Sequence, residues 1–145
     1  MYKHILIATD GSELAHKALV QGFALAKAVG AKVTVVTVTE PWTAVVPGEM
    51  GMAFPIDEYE KGASENAGNI LSVVKREADA TGVACETVHM ADQYPADGII
   101  AAAKEKACDL IVMASHGRRG LSRLLIGSQA NQVVVHSTVP VLVVR

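Results

Sequence analysis

Residues 110–128 read Leu-Ile-Val-Met-Ala-Ser-His-Gly-Arg-Arg-Gly-Leu-Ser-Arg-Leu-Leu-Ile-Gly-Ser, and these residue types suit an anion. A short apolar strand, Leu110 to Met113, leads into a loop carrying Gly117, Gly120 and Gly127. Glycines let backbone N–H groups come close to a ligand. Gly127-Ser128 then opens a helix, whose first turn presents unsatisfied N–H donors and the positive end of the dipole. Arg118, Arg119 and Arg123 add charge and forked donors. The target chemistry is a phosphate. The pattern is neither a Walker A loop nor GxGxxG.

A site of this kind needs a rigid frame, and the rest of the chain supplies one. Five strands are expected at His4–Thr9, Lys32–Thr39, Val83–His89, Asp109–Ala114 and Val139–Val144. Such β-branched runs suit strands buried on both faces. Helices lie between them. Ser12 can cap one that runs to Val29 and stops at Gly30, with Ala15, Leu19, Phe23 and Ala26 on one face. Asp57 and Glu60 have the spacing of a capping box. The stripe Ala67, Ile70, Leu71, Val74 and Ala78 follows it and ends near Gly82. Pro95 fits the first turn of a third helix containing Ile99, Ile100 and Ala103. Ser128 can cap a fourth that reaches about His136. The alternation βαβαβαβαβ implies a parallel sheet with right-handed crossovers and helices on both faces.

The segment Glu40–Ile56 interrupts this pattern. Pro41, Pro47, Pro55, Gly48 and Gly51 make it a long loop. Trp42, Met50, Met52 and Phe54 make it apolar. They either cover the sheet edge or a helix, or they meet a ligand or partner.

Composition narrows the function. The 145 residues favour one domain, and half are apolar, enough for a full core. The net charge of -2 gives no global case for nucleic acid or an anionic membrane. Two cysteines, Cys85 and Cys108, without CxxC or metal spacing read as buried reduced thiols in a cytoplasmic protein. The five histidines show no ligand spacing, so no metal site is expected. The apolar run before Asp10 is too short for a signal-peptide core, and nothing approaches a membrane span.

Ligands of open parallel sheets bind beyond the strands' carboxyl ends, where strand order reverses. Asp10 ends the first strand, and Ala114-Ser115-His116-Gly117 ends the fourth. If those strands are neighbours, the two loops flank one site.

The chain resembles the universal stress protein family along nearly its whole length. The resemblance rests on Ile5-Leu6-Ile7-Ala8-Thr9-Asp10-Gly11-Ser12, on Asp109-Leu110-Ile111-Val112-Met113-Ala114-Ser115-His116-Gly117, on Gly127-Ser128, and on Val139-Pro140-Val141-Leu142-Val143-Val144. It implies an α/β fold, one doubly wound domain over residues 1–145, with a five-stranded parallel sheet in the order 3-2-1-4-5. It also implies a homodimer through the final strand, Val139–Val144. One branch of the family binds ATP through G-x2-G-x9-G-[S/T]. Here nine residues separate Gly117 from Gly127-Ser128, while Ala114 replaces the first glycine. Alanine keeps the N–H but would be strained at positive φ.

The resemblance thus implies an ATP site, with magnesium, made of Ala8, Thr9, Asp10, Val38, Met113, Ala114, His116, Gly117, Arg118, Arg119, Gly127, Ser128, Gln129 and Ala130. Asp10, Val38 and Met113 would line the adenine and ribose side. Gln129 and Ala130 fall where the family contacts phosphates, and Ala130 can do so only through its backbone. Simpler readings compete. Asp10-Gly11 also favours a turn, although its place at the switch point favours a ligand role. His116 is read first as a structural residue bonded to backbone. Of the arginines, one or two are expected to reach ligand.

The functional expectation is a cytoplasmic stress-response regulator that binds ATP or a related adenine nucleotide, and acts as a dimer through contacts with a protein partner. The alternative is a nucleotide-independent dimeric interaction module, with Ala114 marking lost affinity. No general base stands beside the phosphate motif, so at most slow hydrolysis is expected. A receiver-like phosphoacceptor role for Asp10 is disfavoured. Gly11-Ser12 follow it instead of a second acid, and the third strand ends at His89-Met90-Ala91 without an acceptor.

Overall fold

The apolar runs pair into one parallel sheet in the computed structural model, which describes residues 1–46, 48, 53–117 and 126–145. The elements are β1 (His4–Ala8), α1 (Glu13–Val29), β2 (Lys32–Val38), α2 (Trp42–Val45), α3 (Ile56–Thr81), β3 (Cys85–Met90), α4 (Pro95–Glu105), β4 (Leu110–Ala114), α5 (Ser128–His136) and β5 (Val141–Val144). The sheet order is β3-β2-β1-β4-β5, as expected. Central β1 pairs with both neighbours, Ile7 standing beside Val35 and Val112.

Alternation along the strands builds two cores. Ile5, Ile7, Val33, Val35 and Val112 pack with Leu19 and Phe23 of α1 and Val74 and Ala78 of α3. Leu6, Val36, Ile111 and Met113 pack with Ile99 and Ala102 of α4 and Val133 of α5. α1 rests directly on β1, because a Cβ at Gly22 would run into the Ile7 side chain. Burial on both faces holds for β1, most of β2, and β4. It does not hold for β3 and β5, which are mostly half-buried at the sheet edges.

Helix ends agree with the sequence in part. The Ser12 hydroxyl accepts from the Ala15 N–H at 3.2 Å, and Gly30 and Gly82 end α1 and α3 with φ of 72° and 77°. Two expected caps are corrected. Asp57 lies inside the first turn of α3, which begins after Pro55, so its carboxylate meets the helix dipole instead of capping. Ser128 is the first residue of α5, with Gly127 at the cap position. The final strand is shorter than expected, starting after Pro140, which has no N–H to donate.

The described ends of the long segment meet one another. The segment contains the short helix α2, and Trp42 stacks on Phe54 with ring centroids 5.9 Å apart. Phe54 meets Tyr59 of α3 at 6.0 Å. For Trp42 and Phe54 the covering role is therefore the one observed. Pro47, Met50, Gly51 and Met52 lie outside the described residues.

His4 sits buried at the opposite end of the sheet, its Nε2 2.7 Å from the Thr34 hydroxyl. Burial first, and then the Lys32 charge, hold its pKa below the ordinary histidine value. The unfolded chain therefore binds the proton more readily than the folded one. Stability should rise with pH across the ordinary histidine range and fall as pH drops through it. Urea midpoints measured from about pH 8 to about pH 5.5 should show this slope, and His4→Gln should flatten it.

Candidate functional site

Strand order reverses between β1 and β4, and the loops leaving their carboxyl ends meet there. After β1, Asp10 Oδ1 accepts from the Ser12 N–H at 2.9 Å, and Gly11 adopts φ 80°. This is the side-chain turn that Asp-Gly favours, so Asp10 does hold a turn. Its other oxygen is also committed in space, because a Cβ on Gly117 would stand 2.9 Å from Asp10 Oδ2. A side chain at Gly117 would push that carboxylate aside. At Gly127 the neighbour is backbone: its N–H donates to the Ser115 carbonyl at 2.8 Å. A Cβ there would lie 3.1 Å from that carbonyl oxygen and 3.5 Å from His116 Cα.

An open cavity of about 600 Å³ lies where the described parts of these loops meet. One wall is apolar: Ala8, Val36, Val38 and Met113 from the strand ends, with Pro95 and Ile99 from α4. The other is polar: Asp10, Ser115, His116, Gly117, Gly127, Ser128 and Gln129. Thr9, Ala114 and Ala130 complete the contacts expected from sequence, and Glu40 stands at the side of β2. The structure therefore brings together every described residue of the expected site. Arg118, Arg119, Gly120 and Arg123 lie outside the described residues.

Several roles change in detail. Ala114 is the last residue of β4, paired with Val144. Among the described residues positive φ at a non-glycine occurs at Asp92 and Ala107, so Ala114 carries no strain. The His116 Nδ1 lies 3.0 Å from the Ser115 hydroxyl, a side-chain partner where a backbone one was expected. Ala130 is buried against the α4 core, leaving only its backbone for a ligand. The Gln129 Oε1 accepts from the Ala96 N–H of α4 at 3.1 Å.

Helix termini give the cavity its electrical character. α5 starts at Ser128 without a side-chain cap. The N–H groups of its first turn have no partner within the helix by geometry, and they stand at the polar wall. α1, by contrast, is closed by Ser12 and α4 by Gln129.

Sequence reasoning missed Ala15, Val36, Glu40, Pro95, Ile99, Ser115 and Ile126 as lining residues. Val36 shares a face with Val38, a signal available from period-2 alternation. Pro95 and Ile99 reach the site only through the α4 crossover. α4 packs so closely on β2 that a Cβ at Gly98 would come within 2.8 Å of Val38 Cγ1 and Cγ2. Gly98→Ala should cost about 1–3 kcal/mol through overpacking and move the apolar wall. Urea denaturation reads the first effect and ligand titration the second.

Burial raises both thiol pKa values, that of Cys108 to about 11. Among the described residues no group of three or more His, Cys, Asp or Glu is placed to hold a metal, and no helix is long and apolar enough to cross a membrane.

The signature described as the universal stress protein family matches residues 1–145. A universal stress protein of Thermus aquaticus is 39% identical over 146 residues, covering 100% of both chains. One of Bacillus subtilis is 34% identical over 149 residues, also covering 100% of both. Among solved structures, MJ0577 of Methanocaldococcus jannaschii aligns with a TM-score of 0.84 at 29% identity, over 99% of this chain and 96% of that one. A universal stress protein in complex with cAMP aligns at 0.72 with 23% identity, over 99% and 97%. One from Archaeoglobus fulgidus in complex with dAMP aligns at 0.65 with 22% identity, over 99% and 98%. At those last identities the likeness is one of fold.

Proposed function

The chain belongs to the universal stress protein family, and from that premise we propose that it binds an adenine nucleotide, ATP in the first instance, in the cavity between the β1 and β4 loops. The observation that carries this reading is the first turn of α5, without a side-chain cap, at a cavity lined by both apolar and polar residues. An anion there gains backbone donors and the helix dipole together. Phosphates would lie against Gly117, Gly127, Ser128 and the Ala130 backbone, with Thr9 and His116 beside them. The base would lie between Val38, Ala8 and Met113 on one side and Ile99 on the other. Asp10 would accept from ribose or base. Magnesium would arrive with the triphosphate as its counter-ion. The family members solved with cAMP and dAMP support an adenine ligand.

The protein would act as a regulator, not an efficient catalyst. Nucleotide occupancy would alter its contacts with a protein partner, and two copies would pair through the β5 edge. Mass spectrometry of small molecules released by denaturing the purified protein, followed by calorimetry with ATP, ADP and AMP, tests the ligand. Absence of a released nucleotide together with no binding heat would defeat the reading.

The Asp10 turn sharpens a second test. Asp10→Ala removes both the turn bond and the ligand acceptor, so it should lower stability by about 1 kcal/mol and affinity by about 1–3 kcal/mol. Asp10→Asn keeps an acceptor for the Ser12 N–H. It should leave the melting temperature unchanged while still weakening nucleotide binding. Equal affinity for Asp10→Asn and wild type would confine Asp10 to the turn.

A further inference from the structure

Three helices bring their first turns to the cavity, α1 through Ala15, α4 through Pro95 and α5 through Ser128, and α4 and α5 are capped differently. α4 opens with Pro95, which has no N–H, preceded by Tyr94, whose side chain makes no cap. The next donor, the Ala96 N–H, is satisfied from another helix, by Gln129 Oε1 at 3.1 Å. Gln129 stands 33 residues away in sequence and belongs to the first turn of α5. It is therefore a cap supplied by the neighbouring helix. The two helices it joins pack against each other on one face of the sheet, and both line the cavity. Pro95 and Ile99 of α4 line the apolar side, while Gly127 and Ser128 lead the polar side. Gln129 itself lines the cavity and is exposed, with its carboxamide nitrogen, a double donor, on the same group.

We propose that Gln129 is a positioning residue that fixes the spacing between the base wall and the phosphate turn, so that a ligand spanning both walls is favoured over one that fills only the base wall. This rests on the nucleotide reading above. Without the brace, the contact between α4 and α5 among the described residues rests on the apolar packing of Ile99, Ala102, Ala103, Ala130 and Val133, which tolerates small sliding. A spanning ligand would then have to hold both walls in register itself, and lost preorganisation appears as lost affinity. A ligand touching one wall is indifferent to that spacing.

The test uses the full chain, with wild type, Gln129→Ala and Gln129→Glu. Amide chemical shifts follow titrations with ATP and with adenosine, and hydrogen exchange follows the Ala96 amide in ligand-free protein. In Gln129→Ala, Ala96 should exchange faster, ATP affinity should fall about tenfold, and adenosine affinity should change less than twofold. Gln129→Glu keeps an acceptor for Ala96, so its slow exchange should be retained. Its charge beside the phosphates should weaken ATP and spare adenosine.

Unchanged Ala96 exchange in Gln129→Ala would overturn the brace whatever the ligand. Parallel losses for ATP and adenosine would overturn the positioning role and leave Gln129 a structural cap. Adenosine that fails to shift Ile99 would remove the base wall and overturn the inference. A wild-type protein that binds neither ligand would instead overturn the nucleotide reading, and the Ala96 result would still judge the brace.

Discussion

Gly127→Val is expected to abolish nucleotide binding, lowering affinity for ATP by more than about a hundredfold, while the sheet stays folded. The Gly127 N–H donates to the Ser115 carbonyl at 2.8 Å, which fastens the start of α5 to the end of β4. A Cβ would already press that carbonyl oxygen at 3.1 Å and His116 Cα at 3.5 Å. Valine adds two further carbons in the same direction, against backbone that cannot rotate away. The first turn of α5 must therefore retreat, taking its uncapped amides with it. Overpacking of this kind costs about 1–3 kcal/mol of stability, which a domain with a complete core should survive. Binding is less tolerant, because donors displaced by an ångström no longer meet an oxyanion at 2.7–3.1 Å. Calorimetry reads the affinity, and far-ultraviolet circular dichroism with a thermal melt reads the fold. Gly127→Ala should fall between the two, since the Ser115 carbonyl must give by only a few tenths of an ångström. A folded Gly127→Val that binds ATP like the wild type would remove the start of α5 from the site.

How much of this was legible in the sequence depends on the range of each interaction. Strand positions and the Ser12 and Gly30 ends of α1 are written locally, in β-branched runs and in cap residues, and they were read within a residue or two. The order β3-β2-β1-β4-β5 is not local. Alternation implied a parallel sheet, but only the family resemblance supplied which strands are neighbours. Glycine spacing marked Gly117 and Gly127, and both line the cavity. Neither has positive φ; a side chain would press the Asp10 carboxylate at Gly117 and the Ser115–His116 backbone at Gly127, which the sequence does not reveal. The start of α5 was misread by one position because serine is the better cap by propensity. A helix that starts after a glycine, without a side-chain cap, breaks that propensity. The Gln129–Ala96 bond was invisible, since nothing in a sequence indicates that two helix starts so far apart face one cleft. The same is true of Glu40, whose carbonyl accepts from the Tyr59 hydroxyl at 2.8 Å.

Leu142→Lys is expected to convert a dimer into a folded monomer. Among the described residues β5 lies at one edge of the sheet, hydrogen-bonded to β4 on one side only. Its side chains divide by role. Val144 is buried and Val141 packs against the α4 and α5 core, so a lysine at Val141 would damage the chain's own packing. Leu142 is 39% exposed on the α1 face of the sheet, and on the opposite face α5, which packs against β5, exposes Val134 and Val135 to 46% and 64%. An apolar edge strand with exposed apolar neighbours is a template for pairing, and soluble proteins seldom leave one bare. Two copies related by a two-fold axis would pair β5 with β5 antiparallel, and each Leu142 would be covered by the same patch of the other copy. A lysine there places like charges face to face in a closed, symmetric contact. That repulsion arises once in each dimer, between the two lysines, and is absent from the monomer. Sedimentation velocity at micromolar concentration should show wild-type dimers and Leu142→Lys monomers, with the same melting onset at low concentration. A wild-type chain that sediments as a monomer with and without ATP would refute pairing through β5. A Leu142→Lys chain that remains dimeric would move the interface to another face.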